Sequence, residues 1–493
     1  MTTFLGLDLG TSSVKAIILD EAETVLAVVS VPVPSPTHPT PLASEQPVES
    51  WWTAVAAALE ELAAEHAPAM ARVAGIGLSG QMHGLALLDG ADRPVRPAML
   101  WNDGRAAGEA QALADAHPDL ARRLGVPPMA GLTAPKLLWL ARHEPEVLAR
   151  ARHMLLPKDI IRLHLTGARV TDVSDAAGTW LLDEESRSWS EQAIAAVGID
   201  PALLPPVVES PTPTGTLRPE IAARFGLSPG VVVAGGAGDT LAGGMGIGAV
   251  EDGRAFVALG TSGQVFVATD RYRPAPDAAV HSFCHCLPGR WCAMAAVLNG
   301  ASALGAVARM IGGTADAGDL PALLAEVEAG FTGPGSLLFL PYLAGERTPH
   351  NDPHARGVIF GLTPDTRRPE VIQAVLEGVA FSLADGVAAL DAAGLHIKRA
   401  GFIGGGARSR FWARIIASAT GLTLDRYDGG EHGAAFGAAR LGRMATGDTT
   451  PPRQPVVVEQ ITPDAGLHQA YAPRLEAYRH LYQALRPEFR RKP

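Results

Sequence analysis

The chain has 493 residues, with 41 Lys and Arg against 51 Asp and Glu, a formal net charge of −10; 47% of it is hydrophobic and 19% charged. This composition excludes a disordered chain, and the acidic balance argues against nucleic acid, which wants a basic face. No uninterrupted apolar run reaches the ~18–20 residues of a membrane span, the opening MTTFLGLDLGTSS lacks the features of a secretory leader, and Cys284, Cys286 and Cys292 are too few for a disulfide scaffold, so a cytoplasmic protein without a membrane partner is expected.

FLGLDLG reads as a short buried strand and SVKAIILD as its hairpin partner. Five prolines between 32 and 41 mark an irregular or edge segment. From Trp51 to His66, Val55, Leu59 and Leu62 recur at helical spacing, and Ala74–Ser79 is another short strand. Leu138–Arg152 and Glu370–Ala393 are long helix candidates, the second with Val371, Val375, Val379, Leu383 and Val387 nearly in register. Strands alternating with helices predict an α/β protein.

Leu9-Gly10-Thr11-Ser12 recurs as Leu259-Gly260-Thr261-Ser262, each copy after a strand and each leading into a second one. Two copies in one setting, half the chain apart, predict two related lobes with a boundary near 245–255, in GGMGIGAVEDG. Coincidence in a glycine-rich chain is the alternative. A Gly-Thr-Ser turn points backbone N–H groups and hydroxyls one way, which suits phosphate oxygens. Neither GxxxxGK[ST] nor a GxGxxG turn with its acidic partner occurs.

Asp8 sits in the first turn, where a carboxylate beside phosphates calls for Mg²⁺; stabilisation of its own turn is the alternative. The run Gly235-Gly236-Ala237-Gly238 leads from a strand into Asp239 and Thr240. An acid at that junction fits either a general base or an N-cap. Phe402–Gly406 is a strand running into glycines that would lie against a nucleotide, or simply make a tight turn, with a helix from Ala407 onward. The small residues of Gly433–Ala439 suit a close helix crossing at a hinge, or plain core packing. Gln81, Met82 and His83 after a strand, and Trp101 and Asp103 in Trp101–Arg105, offer the polar and aromatic groups of a sugar site. His281, Cys284, His285, Cys286 and Cys292 alternate on a probable hairpin and match no zinc spacing.

The constellation resembles the FGGY carbohydrate kinases of the sugar kinase–Hsp70–actin superfamily. The resemblance rests on GLTAPKLLWLARH (131–143, with Lys136 and Trp139), GVIFGLTPDTRRPEVIQAVLE (357–377), DLGTSSVK (8–15), SGQMHG (79–84), LWNDGR (100–105) and GAGDT (236–240). It implies two RNase H-like lobes of the actin/hexokinase type, closing over ATP and a sugar in an inter-lobe cleft. The lobes would span 1–246 (sugar and first phosphate turn) and 247–450 (nucleotide), with a helical extension at 451–493.

Position by position, the resemblance makes Asp239 the catalytic base. It gives Gln81, Met82, His83, Trp101, Asp103, Asp239 and Thr240 to the sugar. It gives Asp8, Gly10, Thr11, Ser12, Lys15, Gly260, Thr261, Ser262, Gly405, Gly406 and Ala407 to ATP, and Asp8 and Asp239 to Mg²⁺. The implied reaction is ATP-dependent phosphorylation of D-xylulose; a kinase of another ketopentose, a pentitol or a polyol is the alternative. Family members are often homodimers. The chain departs from the pattern at Thr240, where Asn is usual.

Overall fold

The computed structural model describes residues 2–312, 319–427 and 433–490. Two mixed seven-stranded sheets organise it. The first contains β1 (Thr3–Leu9), β2 (Ser13–Asp20), β3 (Val25–Pro32), β4 (Val73–Gly80), β5 (Pro213–Thr216), β6 (Val232–Ala234) and β7 (Ala237–Gly238). β1, β2 and β3 form an antiparallel meander, β4 pairs parallel to the other edge of β1, and β6 follows parallel to β4. The second contains β8 (Ala255–Leu259), β9 (Gly263–Thr269), β10 (His281–Cys284), β11 (Trp291–Val297), β12 (Arg399–Ile403), β13 (Thr423–Tyr427) and β14 (Val457–Ile461). Here β8, β9 and β11 make the meander, with β12 parallel to β8 and β13 parallel to β12. The two sheets therefore share one central arrangement, β3-β2-β1-β4-β6 in the first and β11-β9-β8-β12-β13 in the second, and the two Gly-Thr-Ser turns occupy the same first hairpin of each.

The central strands are buried along their length rather than on alternate residues, as expected where helices cover both faces. The helices that matter here are α1 (Val48–Glu65), α2 (Thr133–His143), α3 (Pro157–Thr166), α4 (Asp239–Gly246), α5 (Arg368–Ala392), α6 (Arg410–Thr420), α7 (Gly433–Ala445) and α8 (Ala465–Phe489). α5 starts where the Glu370 carboxylate accepts the Arg367 N–H at 2.7 Å, and it is buried on nearly every face. It is long and apolar enough to cross a membrane by length and mean hydropathy, although charges interrupt its apolar run; the protein itself covers it.

Two expected helices differ. Leu138–Arg152 is broken: α2 ends at His143, Glu144 leaves helical backbone at φ −138°, and a new turn of helix starts at Pro145. The proline ring disfavours helical geometry at the residue before it. Past Phe402–Gly406, residues Gly405–Arg408 form one 3₁₀ turn, and α6 begins only at Arg410, where the Ser409 hydroxyl accepts the Trp412 N–H at 3.1 Å.

α7 belongs to the second half of the sequence yet lies on the first sheet and crosses α4. An added Cβ at Gly77 would stand 1.7 Å from the Ala438 carbonyl oxygen, at Gly6 2.0 Å from that of Ala435, and at Gly437 1.8 Å from that of Ala242. Backbone meets backbone at all three places. The small-residue run thus serves a helix crossing between the halves of the chain.

Candidate active site

Strand register gathers the first set of residues. Asp8 on β1 lies beside Ser79 on β4, and Ser79 beside Ala237 on β7; one rung on, Leu9, Gly80 and Gly238 follow. Asp8 and Asp239 therefore emerge at the same end of one sheet. The Ser79 hydroxyl donates to Asp8 Oδ1 at 2.9 Å, and Lys15 stands opposite Asp8 on β2. Both carboxylates are deeply enclosed by protein yet remain partly open to solvent at the strand ends. Burial, then the Asp8 charge, pushes Asp239 up to about 7, and burial raises Asp8 as well. Asp239 is not an N-cap: Gly238 holds that position, and the Asp239 carboxylate accepts the Thr240 N–H at 2.7 Å from the first helical residue.

Met82 and His83 lie beside this pair. A Cβ at Gly238 would stand 2.7 Å from the Met82 sulfur, so Met82 covers the backbone just before Asp239. His83 takes a left-handed φ of 67°, and its Nδ1 lies 2.7 Å from the Gly178 carbonyl oxygen. A carbonyl only accepts, so Nδ1 carries the proton and Nε2 is left as an acceptor. Burial, reinforced by Arg347, holds His83 well below its ordinary value, so the ring is neutral at physiological pH.

Thr11 and Gln81 bond each other at 2.9 Å, and Trp101 Nε1 donates to the Thr11 hydroxyl at 3.1 Å. The Thr11 side chain is thereby committed to Gln81 and Trp101, which leaves backbone N–H groups and the exposed Ser12 hydroxyl of this turn for phosphate. Asp103 is placed differently from expectation. Its buried carboxylate accepts from the Ser44 N–H at 2.9 Å and from Arg105 at 2.7 Å, which leaves it an anchor of the Trp101 loop rather than an open sugar contact.

The second turn approaches from the other sheet. Gln264, two residues beyond Ser262, accepts from the Thr240 hydroxyl at 3.0 Å, so the second hairpin reaches the residue next to Asp239. The turns are not identical: Leu9 pairs with Val14 across the first, and Leu259 with Gly263 across the second, which is one residue shorter. Ser12 and Thr261 are exposed, and Gly10, Gly260 and Ser262 partly so. Gly404 and Gly406 press on Leu259, where any Cβ would collide. Gly405 and Gly406 line a cleft of about 1090 Å³ together with Ala301, Leu304, Leu324 and Trp412; Ala407 lies outside that lining. This cleft continues the site on the second-lobe side, away from the two carboxylates.

Sequence reasoning missed three groups. Lys136, noted only as part of a motif, is buried, donates to the His83 carbonyl at 2.9 Å and is pushed down to about 7 by burial. Arg347 donates to the Trp101 carbonyl at 3.2 Å and links the halves of the chain. His281 is buried, neither ring nitrogen has a hydrogen-bond partner among the described residues, and Phe283 stands edge-on to both His281 and His83. A lone Lys within the apolar face of α2 was the one legible signal. The other His and Cys residues are spent on packing: His285 lies 3.1 Å from the Ala249 carbonyl and Cys286 donates to that of Leu241.

Two duplicated lobes, each with a phosphate-type turn in its first hairpin, and a raised carboxylate at the strand ends next to a residue that the second hairpin reaches, define an ATP-dependent phosphotransferase of the two-lobed sugar kinase class. The FGGY family of carbohydrate kinases matches through its N-terminal domain at residues 3–246 and its C-terminal domain at 255–446, and the chain belongs to that family. It is 43% identical over 489 residues to the xylulose kinase of Escherichia coli K12, covering 98% of this chain and 99% of the relative. The crystal structure of a xyloylose kinase from Brucella ovis superposes with a TM-score of 0.92 at 44% identity, over 98% of this chain and 99% of that one. A xylulose kinase from Rhodospirillum rubrum superposes at 0.88 with 30% identity, over 99% and 100%. The chain is thus an ATP-dependent carbohydrate kinase.

Proposed function

We propose that the chain transfers the γ-phosphoryl group of ATP to the primary C5 hydroxyl of D-xylulose, giving D-xylulose 5-phosphate and ADP. The observation that carries this reading is the convergence of Asp8, Asp239, Met82 and His83 at one sheet end that the second turn also reaches. The relatives named above, matched along nearly their whole length, supply the sugar. O5 attacks the γ-phosphorus in line, the O5–P bond forms as the bond to the β-phosphate oxygen breaks, and the O5 proton passes to Asp239. A carboxylate that holds a proton to about 7 is matched to that task. Neutral His83 accepts a sugar hydroxyl through Nε2, and Trp101 walls the pocket.

The Asp8 charge raises the cost of ionising Asp239, and burial raises that of both, which a divalent cation would relieve, so Asp8 and Asp239 fit the residues that would hold Mg²⁺. Bound by these residues, Mg²⁺ would supply neutralisation of charge on the phosphates. Gly10 and Gly260 spend their N–H groups inside the turns, on the Ser13 and Ser262 carbonyls, so the backbones of 11–12 and 261–262 supply N–H groups to the phosphate oxygens, and Gly405 and Gly406 leave room for the nucleoside. Three buried free cysteines suit a reducing cytosol.

The direct test is ADP release, coupled to an indicator enzyme, over pentuloses, pentitols and glycerol. D-xylulose should give the highest kcat/KM. A pentitol or another ketose in first place would replace the substrate and leave the reaction class intact.

A further inference from the structure

Behind Asp239, five charged side chains are fully enclosed: Lys158, Asp159 and Arg162 on α3, with Asp172 and Asp175. Lys158 Nζ lies 2.8 Å from Asp159, 2.9 Å from Asp172 and 3.1 Å from Asp175. Such a cluster is a poor way to gain stability, because apolar residues of the same volume do as well or better. Its hydrogen bonds converge instead on one stretch of backbone. Arg162 donates to the carbonyls of Ala234 and Gly235. The Gly235 and Gly236 N–H groups donate to the Thr212 and Ser210 carbonyls at 2.8 and 3.0 Å. Asp172 accepts the Ser174 hydroxyl at 2.6 Å and the Ser210 hydroxyl at 2.6 Å, and the Gly238 N–H donates to Ser174 Oγ at 3.3 Å. The glycine-rich run before Asp239 is thus restrained along its length, at Ala237 by the pairing of β7 with β4. Glycine has the widest conformational freedom of any residue, so this run would not aim Asp239 without such restraint.

We propose that Ser174, oriented by Asp172 and Lys158, is a positioning residue: by accepting the Gly238 N–H it sets the direction from which Asp239 meets the acceptor hydroxyl. This rests on the reading of Asp239 as the base. Ser210 provides an internal control, because its hydroxyl bonds the same carboxylate at 2.6 Å and reaches Ser174 Oγ only at 3.5 Å, but does not touch Gly238.

The test compares purified Ser174→Ala, Ser174→Cys, Ser210→Ala and Asp239→Asn enzymes for kcat, for KM of sugar and ATP, and for thermal midpoint. Ser174→Cys fills the same space with a weak acceptor, which covers the case of a poorly folding alanine variant. The expected result is a kcat lower by about tenfold to a hundredfold in both Ser174 variants, with KM values little changed, since a misaimed base slows only the chemical step. Ser210→Ala should keep most of its turnover at a similar loss of thermal midpoint. Equal kcat in the Ser174 and Ser210 variants, with Asp239→Asn inactive, would overturn the positioning role alone. Near wild-type turnover in Asp239→Asn would overturn the base assignment and this proposal with it.

Discussion

At the residue scale, Asp239 combines the properties a sugar kinase base needs, and each has a separate physical origin. Its height on the pH scale comes from burial and from Asp8; its place comes from the register of β1, β4 and β7. Replacement by Asn should lower kcat by about 10²–10⁴-fold while ATP still binds, measured by steady-state kinetics and nucleotide titration. In the wild type, kcat/KM should fall as the pH drops below about 7, because the base is then protonated; a flat profile down to pH 5 would refute this. Stability runs the other way. The folded-state value lies above the ordinary 3.8, so the folded protein holds a proton that the unfolded chain releases between about 4 and 7. Asp239 thus costs stability progressively as the pH rises through that window, and fully above it. Asp239→Asn should therefore melt at a higher temperature than wild type at pH 8, with the advantage shrinking towards pH 4. The residue type and its glycine-rich approach were legible in the sequence. Its raised value was not, since that depends on Asp8, on another strand.

At the scale of elements, close backbone-to-backbone packing joins α7 to α4, β1 and β4 through glycine. Gly77→Ala would drive a methyl into the Ala438 carbonyl. It should cost about 3 kcal/mol or more of unfolding free energy, read from urea titration, because neither backbone has a rotamer with which to yield. Gly437→Ala at the α4–α7 crossing should both destabilise and slow turnover, since α4 carries Asp239 at its first position. The small-residue pattern of α7 was readable, but its destination on the other half's sheet was not. The break at Glu144–Pro145 was readable from Pro145 itself, which disfavours helical geometry at the residue before it. On the sugar side, Asp103 looked like a ligand because its neighbours are polar and aromatic, and only the fold shows Arg105 and Ser44 filling it.

At the scale of the whole molecule, the two sheets repeat one topology, the halves share an apolar cluster that runs from Met82 to Phe256, Phe266 and Met294, and near the site Thr240 meets Gln264 and Trp101 meets Arg347. The segment carrying Arg347 is held from behind by α8, where the Tyr342 and Tyr478 hydroxyls lie 2.7 Å apart and Tyr482 donates to Asp352 at 2.9 Å. Closure of the lobes over the substrates would keep water from the γ-phosphate. Small-angle scattering should show a smaller radius of gyration with sugar plus a nonhydrolysable ATP analogue than without ligand; superimposable profiles would refute closure.

The sequence alone determined those features whose cause is local. Two strand-turn-strand copies with the same Gly-Thr-Ser bend, buried strands without alternation, and a glycine run ahead of Asp239 are all set by which backbone angles and which burial short segments tolerate. The tertiary structure alone decided what depends on distant partners: which carboxylate is shared with which, that the Thr11 and Asp103 side chains are already engaged, that Lys136, His281 and Arg347 surround His83, and that a buried charge cluster holds the base from behind. Those outcomes turn on desolvation and on hydrogen bonds between strands and helices far apart in the chain, and no window of neighbouring residues contains them.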